Sequence, residues 1–449
     1  MTQENTTGSQ RKWYDSGHAS LCLLGTYLRQ IGFFKPLEQR VKIEQKVLKY
    51  TSLQKLEMLF VGLLAGIKAV SHTANTLRID AALMAAFGLP GCAEQSVIAD
   101  TLDAATEADV VALQEAVAEI FADYSQAQQH DFGQQFLVLD VDLSPLPASR
   151  KAEGSERGYM GRSRSRTGRK LVRVRVANTQ ETVWETVVGG RTAESLSVLQ
   201  EAIQAAEHRL RLQGENKEAQ AKRARTEIRL DSGWGSDAVI TWLLSRGYQV
   251  TGKFKSAQRV HKLIGGITAW QSTSSPGREV AELPKPITFD RPLLQYAVRT
   301  PSKEHKEGYY HAVVFSSRTD LSMMGVVEDY DKRAGMEADL KGDKHGLGLG
   351  VIRKRRLPAQ KLVVLLMQLA HNVLIWARQW LSERAPRLHA FGIVRLIQQV
   401  WAIPGRVKLL DRNVQRIRLR GEHPRARDVC QAFGPLLDSS HIGILEGPS

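Results

Sequence analysis

The order of strand-like and helix-like segments between residues 136 and 255 restricts the fold more than any other feature of this sequence. The run "FLVLDVDLS" is short and apolar like a strand, "KLVRVRVA" alternates as a strand should, and "ETVWETVVGG" follows as a returning strand. The next segments are a helix ("AESLSVLQEAIQAAEHRL"), a strand ("TEIRLDSGWGS"), a helix ("DAVITWLLSRG") and a strand ("YQVTGKFK"). This order predicts one mixed α/β domain.

The segment before this domain has a different pattern. Residues 1–130 place apolar positions at helical spacing, which predicts an all-helical N-terminal region, and we expect that region to bind DNA. Within it, "DAALMAAFGLPGCAEQSVIADTL" reads as two helices joined by a Gly-Leu-Pro-Gly turn. Such a pair is either a helix-turn-helix reader of DNA or two packed helices without that role.

The segments after the α/β domain differ from it and from each other. Over residues 256–321 prolines separate short alternating runs, which predicts a β-rich insertion. The helical pattern returns over 322–385 and includes a long apolar helix at 359–382. Residues 386–449 form a basic C-terminal tail, with eight basic and two acidic residues between Arg406 and Arg427.

The net charge favours a polyanionic partner. Lysine and arginine outnumber aspartate and glutamate by 62 to 47, giving a formal charge of +15, which suits nucleic acid or an anionic lipid surface. The most apolar runs are short or interrupted by polar residues, and the N-terminus is polar, so we expect a cytoplasmic protein that does not enter a membrane. The three cysteines are far apart and predict neither a disulfide framework nor a zinc site.

Carboxylates at three places in the sequence could form a metal site. One strand carries Asp140 and Asp142 near its end, a later strand ends at Asp231, and Glu337 follows after the insertion. Carboxylates that converge repel one another unless a cation lies between them, and oxygen ligands suit Mg²⁺ or Mn²⁺. Two such ions can activate a water or hydroxyl group and stabilise the leaving oxygen when phosphate is attacked.

Four polar residues follow a regular spacing in "YDKRAGMEADLKGDK", residues 330–344. Two, three and six residues separate Tyr330, Arg333, Glu337 and Lys344. On a continuous helix these offsets place all four side chains within roughly 60° of arc. Gly342 interrupts the helical pattern, which leaves Lys344 either on that face or past the end of the helix.

This spacing matches the Tyr-Arg-Glu-Lys signature of a subgroup of bacterial insertion-sequence transposases, and the chain resembles that family. "LDVDLS" and "RLDSGWGS" are similar to its first-aspartate and second-aspartate strands, and "GYMGRSRSRTGRKL" to the basic hairpin region between them. The resemblance covers about residues 52 to 382. It implies a mixed α/β fold with a ribonuclease-H-like core made of residues 131–255 and 322–385, with the β-rich insertion between them.

The resemblance also implies a catalytic, metal-binding triad of Asp142, Asp231 and Glu337 that holds Mg²⁺, with Mn²⁺ as a substitute. Asp140 is the alternative first acid, and Asp142 is preferred because Ser144 two residues later resembles the family's Asp-x-Thr/Ser pattern.

Contacts with DNA phosphates are implied for the rest of the signature, Tyr330, Arg333 and Lys344. The Arg/Ser-rich segment 157–170 is a flexible basic loop or a second DNA contact, and we favour the contact because such dense like charges repel unless a polyanion or solvent relieves them. Its candidate residues are Arg162, Arg164, Arg166 and Arg169.

The implied activity is cut-and-paste transposition of an insertion sequence by metal-dependent phosphoryl transfer. Strands are cleaved at terminal inverted repeats, and the 3′-hydroxyl then attacks target DNA. The expected partners are these two double-stranded DNAs and a second copy of the chain in a synaptic complex. No small-molecule cofactor is expected. The expected location is the cytoplasm of a bacterium, and its nucleoid when the protein is bound to DNA. The alternatives are a non-catalytic DNA-binding protein derived from a transposase and a ribonuclease-H-like nuclease without strand transfer.

Overall fold

The chain folds into two compact units. A computed structural model describes residues 12–46, 49–158, 160, 166–303, 308–437 and 443–446, the last four by their backbone alone. The first unit comprises Met1–Tyr124, Lys151–Glu153 and Asp339–Ser449, and the second comprises Ser125–Arg150 and Gly154–Ala338. Both ends of the chain therefore belong to the same unit.

The first part of the chain is helical after one short strand. Its elements are β1 (Lys12–Ser16), α1 (Ala19–Gln30), α2 (Lys35–Arg40), α3 (Ser52–Leu64), α4 (Thr73–Thr76), α5 (Ala81–Ala86), α6 (Gln95–Ala104) and α7 (Glu107–Tyr124). Helix α3 begins with a capping box, in which Thr51 and Gln54 each bond the other's backbone N–H. Strand β1 is the exception to the all-helical region that the sequence predicts.

The second unit contains a sheet covered by helices. Its elements, with the helix that leaves it, are β2 (Leu137–Pro147), β3 (Glu156–Gly158), β4 (Arg166–Val176), β5 (Thr182–Gly189), α8 (Leu196–Arg209), α9 (Lys217–Ala224), β6 (Thr226–Leu230), α10 (Asp237–Ser245), β7 (Gln249–Lys253), α11 (Ala257–Ile264), β8 (Gln271–Ser272), β9 (Glu279–Glu282), β10 (Leu294–Pro301), β11 (Tyr309–Ser316), α12 (Met323–Asp331) and α13 (Ala334–Gly346).

The last part of the chain completes the first unit with α14 (Leu357–Ser382), α15 (Ile393–Gln399), β12 (Gly405–Leu410), β13 (Asn413–Leu419), α16 (Ala426–Phe433) and β14 (Gly443–Glu446). Helix α14 is long and apolar enough to cross a membrane, but 94% of its most apolar window is buried inside the structure. It packs against α7, α3 and α6, so the prediction of a buried helix here is confirmed.

The sheet of the second unit has a ribonuclease-H-like centre. Strands β5, β4 and β2 pair antiparallel in that order, and β2, β6 and β7 continue as parallel neighbours. Helices α8 and α9 connect β5 to β6, and α10 connects β6 to β7, as parallel pairing requires a crossover. The prediction of a mixed α/β fold with a ribonuclease-H-like core is confirmed.

The β-rich insertion continues this same sheet. Strand β11 pairs antiparallel with β7, and β10, β9 and β8 follow outward, so that ten strands of the described chain form one sheet. On the insertion side, Val280, Val298 and Val314 pack with Val326 and Val327 of α12. The insertion thereby supports the start of the signature segment.

The first unit has a small sheet of its own, in the order β1-β12-β13-β14. Strands β1, β12 and β13 pair antiparallel, and β14 lies parallel to β13. The two-residue turn between β12 and β13 consists of Asp411 and Arg412, both with positive φ (48° and 64°), which is the type I′ geometry that suits a tight hairpin.

Candidate active site

The two predicted aspartates lie side by side where the parallel pairing of β2 with β6 stops. The prediction that Asp142 lies near the end of its strand is wrong, because β2 continues to Pro147 in its pairing with β4. The parallel register pairs Val141 of β2 with Leu230 of β6, so Asp142 and Asp231 are the next residues in line. Asp231 directly follows β6 and leads into a short 3₁₀ turn, Ser232–Trp234. Strand pairing thus brings together two carboxylates that are 89 residues apart in the sequence.

Arg333 lies between these carboxylates. Its Nη2 atom donates a hydrogen bond to Oδ1 of Asp142 and another, at 3.1 Å, to the carbonyl oxygen of Val141. Its Nη1 atom lies 4.0 Å from Oδ1 of Asp231. Burial alone lowers the pKa of Arg333, but Asp142 and the other anionic neighbours raise it above its ordinary value. One buried cation therefore serves both carboxylates.

The geometry of Arg333 depends on a break in the signature segment. Helix α12 ends at Asp331 and α13 begins at Ala334, and a single turn joins them, with the Arg333 N–H donating to the Tyr330 carbonyl at 3.1 Å. The prediction that all four signature residues share one helical face is therefore wrong. At this break Arg333 is buried and forms its ion pair with Asp142.

Helix α13 continues through Gly342, so the prediction of an interruption there is also wrong. A Cβ atom at Gly342 would lie 3.6 Å from Cβ of Ile393, and one at Gly346 would lie 3.1 Å from side-chain atoms of Ile393 and Ile397 on α15. The two glycines, one turn apart, permit close packing of α13 on α15. Lys344 lies half-buried in the last turn of α13, within the first unit.

Glu337 lies in the first turn of α13 with an exposed side chain. Within the described residues it makes no hydrogen bond or ion pair with Asp142, Asp231 or Arg333. In the same part of the chain, no group of three or more His, Cys, Asp or Glu side chains is close enough to hold a metal ion. The structure therefore joins two triad members through Arg333 and leaves the third apart from them.

Tyr330 is a buried residue of the apolar core. It is 6% exposed and packs with Val298, Val326 and their neighbours, and burial raises the pKa of its hydroxyl. The Lys253 ammonium lies 4.7 Å from the centre of its ring, a cation–π contact. Contact of Tyr330 with DNA stays a prediction, and its place in the core gives it a structural role as well.

Lys253 is a site residue that the sequence reasoning missed. The register pairs Leu230 of β6 with Gly252 of β7, which places Lys253 next to Asp231 just as Asp231 is next to Asp142. Burial lowers the pKa of Lys253, and the Asp231 carboxylate opposes that effect. The available signal was its position at the end of the parallel strand after β6.

Asp140 forms hydrogen bonds with a different set of residues. It is fully buried, accepts hydrogen bonds from Arg229 at 2.7 and 3.1 Å, and accepts another from Arg175 at 3.2 Å. Two buried guanidinium groups around one carboxylate form a structural ion cluster inside the sheet. Removing Asp140 would take away a buried anion that accepts hydrogen bonds from both guanidinium groups, which is expected to be destabilising.

Two of the four predicted DNA-contacting arginines are described by the structure, and these two lie in different environments. Arg166 is exposed at the start of β4, whereas Arg169, three residues later in the same strand, is fully buried. Arg162 and Arg164 lie outside the described residues. A DNA contact at Arg166 fits its exposure, and one at Arg169 would require the strand to move.

No family model and no curated protein matches this chain. Among solved structures, the piggyBac transposase synaptic complex with hairpin DNA aligns over 88% of this chain and 82% of its own, with 12% identity and a TM-score of 0.47. A pre-cleavage Mos1 transpososome aligns over 49% and 65% respectively, with 12% identity and a TM-score of 0.18.

Proposed function

We propose that the protein is a DNA transposase of the bacterial insertion-sequence type, in which Asp142, Asp231 and Glu337 hold Mg²⁺ for strand cleavage and strand transfer. The observation that carries the proposal is that Asp142 and Asp231 lie side by side where the parallel pairing of β2 with β6 stops, around an arginine that precedes Glu337 by four residues. Asp142 suits the role better than Asp140, because two buried arginines already occupy Asp140.

The donor set fits a divalent ion by its chemistry. Carboxylates are the protein ligands that Mg²⁺ and Mn²⁺ prefer, and the place between Asp142 and Asp231 already accommodates positive charge in the form of Arg333. A bound Mg²⁺ would supply a Lewis acid that activates the attacking oxygen and stabilises the leaving one. A metal ion and Arg333 therefore compete for the same two carboxylates.

The remaining residues of the site suit a phosphate group. Arg333 can form two parallel hydrogen bonds with a phosphate, and a phosphodiester that takes this guanidinium would release Asp142. Lys253 adds a second cation beside Asp231. On this proposal the substrates are double-stranded terminal repeats and target DNA. A homodimer holds two ends together, and the protein works on the bacterial nucleoid in the cytoplasm.

The proposal is tested on linear DNA that carries the reading frame with its flanking sequences, in which the proposal expects short inverted repeats. With Mg²⁺ the protein is expected to cut at the repeat ends and to join the resulting 3′-hydroxyls to target DNA. Asp142→Asn, Asp231→Asn and Glu337→Gln are each expected to abolish cutting while leaving DNA affinity intact. Glu328→Gln, an exposed carboxylate on α12, is the matched control and retains activity. Cutting that survives all three site substitutions overturns the proposal.

A second candidate function is DNA binding without catalysis. It is favoured by the absence of a three-carboxylate group among the described residues and by the arginine that already neutralises two of the acids. The two functions differ in metal dependence. A transposase gains thermal stability on titration with Mg²⁺ or Mn²⁺ in a manner that Asp231→Asn abolishes, whereas a non-catalytic protein shows no such gain.

A further inference from the structure

The small sheet of the first unit has one polar face. The register places Asp15, Arg406 and Arg418 opposite one another on β1, β12 and β13. Two residues further along, a second row contains Trp13, Lys408 and Arg416. Residues two apart on a strand lie on the same side of the sheet, so both rows share one face. We call these six residues the basic sheet face.

The opposite face of this sheet is apolar and buried. Val407, Ile417 and Leu419 are each fully buried, and β13 packs against α1. One side of the sheet therefore provides its stability. The basic sheet face is on the side that solvent reaches: Arg416 is exposed, and the Arg406 side chain is 58% exposed.

The positions of the like charges on the basic sheet face destabilise the folded protein. Arg406 is directly opposite Arg418, and Lys408 is directly opposite Arg416, and like charges in directly opposed cross-strand positions are destabilising. Asp15 is the one carboxylate in the two rows, and it lies 3.5 Å from Arg406. Within the described residues, Lys408, Arg416 and Arg418 have no ion-pair partner. An arrangement that folding does not favour points to a partner of opposite charge.

An aromatic ring lies among these cations. The guanidinium carbons of Arg406 and Arg418 are each 5.8 Å from the ring centre of Trp13. The Nε atom of Arg418 is buried and bonds to no other described group. Alternating cations and an aromatic ring form a surface on which nucleic-acid backbones and bases can both rest.

The face continues into an open cleft. Arg406, Arg418 and Arg420 line this cleft, whose volume is about 810 Å³, together with the carboxylates Asp15, Asp80 and Glu422. Cations two residues apart on these strands are separated by about 6.7 Å, a distance comparable with the spacing of successive phosphates along a nucleic-acid strand. A polyanionic chain can therefore follow the two rows toward the cleft.

From these observations we propose that the basic sheet face is a DNA-binding surface that grips the phosphodiester backbone. The partner is nucleic acid rather than a membrane, because the face holds one aromatic ring among cations and no group of apolar side chains to enter a bilayer. This surface acts independently of the acidic site, so it binds DNA in a catalytically inactive protein too.

The test measures DNA affinity against salt concentration with the full chain in EDTA, which prevents metal-dependent cutting. Short labelled duplexes and single strands of arbitrary sequence are titrated by fluorescence anisotropy. Lys408→Gln/Arg416→Gln removes one opposed pair and is expected to reduce the slope of log K against log salt by about 1.8 for duplex or about 1.4 for single strands. The form of DNA whose slope falls identifies the ligand.

The matched control is Lys42→Gln/Arg384→Gln, which removes two exposed cations of the same unit from loops outside the small sheet. It is expected to leave both slopes unchanged. The sheet variant is expected to keep or raise the melting temperature, since it removes a like-charge contact. Arg406→Gln/Arg418→Gln repeats the measurement with the other pair, so that a folding defect in one variant does not decide the outcome.

Two results overturn the proposal. One is an equal loss of slope in the sheet variants and the control, which would reduce the effect to net charge. The other is an unchanged slope of log K against log salt for DNA binding by both sheet variants. This result counts against the proposal whether or not the same substitutions weaken binding to phosphatidylserine vesicles. Neither result depends on whether Asp142, Asp231 and Glu337 catalyse a reaction, because no metal ion is present.

Discussion

Replacing Arg333 by methionine tests the electrostatic centre of the candidate active site. The substitution keeps most of the side chain's length and removes its charge, which leaves Asp142 buried without its cation. Removing one partner of a buried ion pair costs about 3–5 kcal/mol. Arg333 is 4% exposed and the Asp142 side chain 13% exposed, so the pair is close to fully buried, and we expect about 3 kcal/mol.

The assay is thermal unfolding in EDTA, following the transition of the second unit. For a unit of about 200 residues each kcal/mol shifts the melting temperature by about 2–4 °C, so Arg333→Met is expected to lower it by about 6–12 °C. Adding Asp142→Asn to this variant is expected to recover most of the loss. Adding Asp231→Asn instead is expected to recover little, because that carboxylate is 47% exposed and lies 4.0 Å from the guanidinium.

The pattern of coupling decides the result. Strictly additive effects of Arg333→Met and Asp142→Asn, or a stronger coupling to Asp231, would refute the arrangement in which Arg333 mainly serves Asp142. Mg²⁺ provides a second readout on the same proteins. It is expected to raise the melting temperature of Arg333→Met more than that of the wild type, because two carboxylates have lost their internal cation.

Two further predictions concern stability. Burial, with the nearby Asp329, raises the pKa of Glu227 from 4.5 to about 7. The contribution of Glu227 to the free energy of unfolding is therefore greatest below pH 4.5. It falls by on the order of 3 kcal/mol as the pH rises to 7, and then levels off. Glu227→Gln should flatten that part of the profile measured by urea unfolding, and an unaltered profile would contradict the assignment. Gly342→Ala is expected to stabilise the protein by up to about 1 kcal/mol, and Gly346→Val to destabilise it, since a Cβ there already meets Ile393 at 3.1 Å. Equal effects in a thermal unfolding assay would contradict the close packing of α13 on α15.

The strands that carry the acids could be predicted because their signal is local. A run of apolar residues precedes Asp142 in β2, and Asp231 directly follows the five residues of β6, so both acids stand out without reference to the rest of the chain. Their position next to each other follows once the two strands are parallel neighbours. The alternation of helices and strands predicted one mixed α/β domain, but not which of its strands are neighbours.

Other features depend on contacts that are distant in the sequence. The break before α13 is stabilised by a hydrogen bond from Arg333 to Asp142, which is 191 residues away. Helical periodicity gives no information about such a distant partner. Strand β1 forms because β12 lies beside it, although the segments around it are helical. The burial of Arg169 could not be foreseen either, since a basic strand residue normally faces solvent.

The acidic site and the basic sheet face differ in how the repulsion between their like charges is relieved. Because of this difference, experiments can distinguish the ligands of the two surfaces. At the acidic site an internal cation, Arg333, already compensates Asp142 and Asp231, so a ligand must displace or attract that cation before it binds. On the basic sheet face Lys408 and Arg416 oppose each other with no internal anion between them, so an added polyanion relieves the repulsion at once. DNA binding by the sheet should therefore depend on salt and not on Mg²⁺, whereas events at the acidic site should require both metal and a phosphate group. Equal sensitivity of the two to metal would show that one site, and not two, holds the DNA.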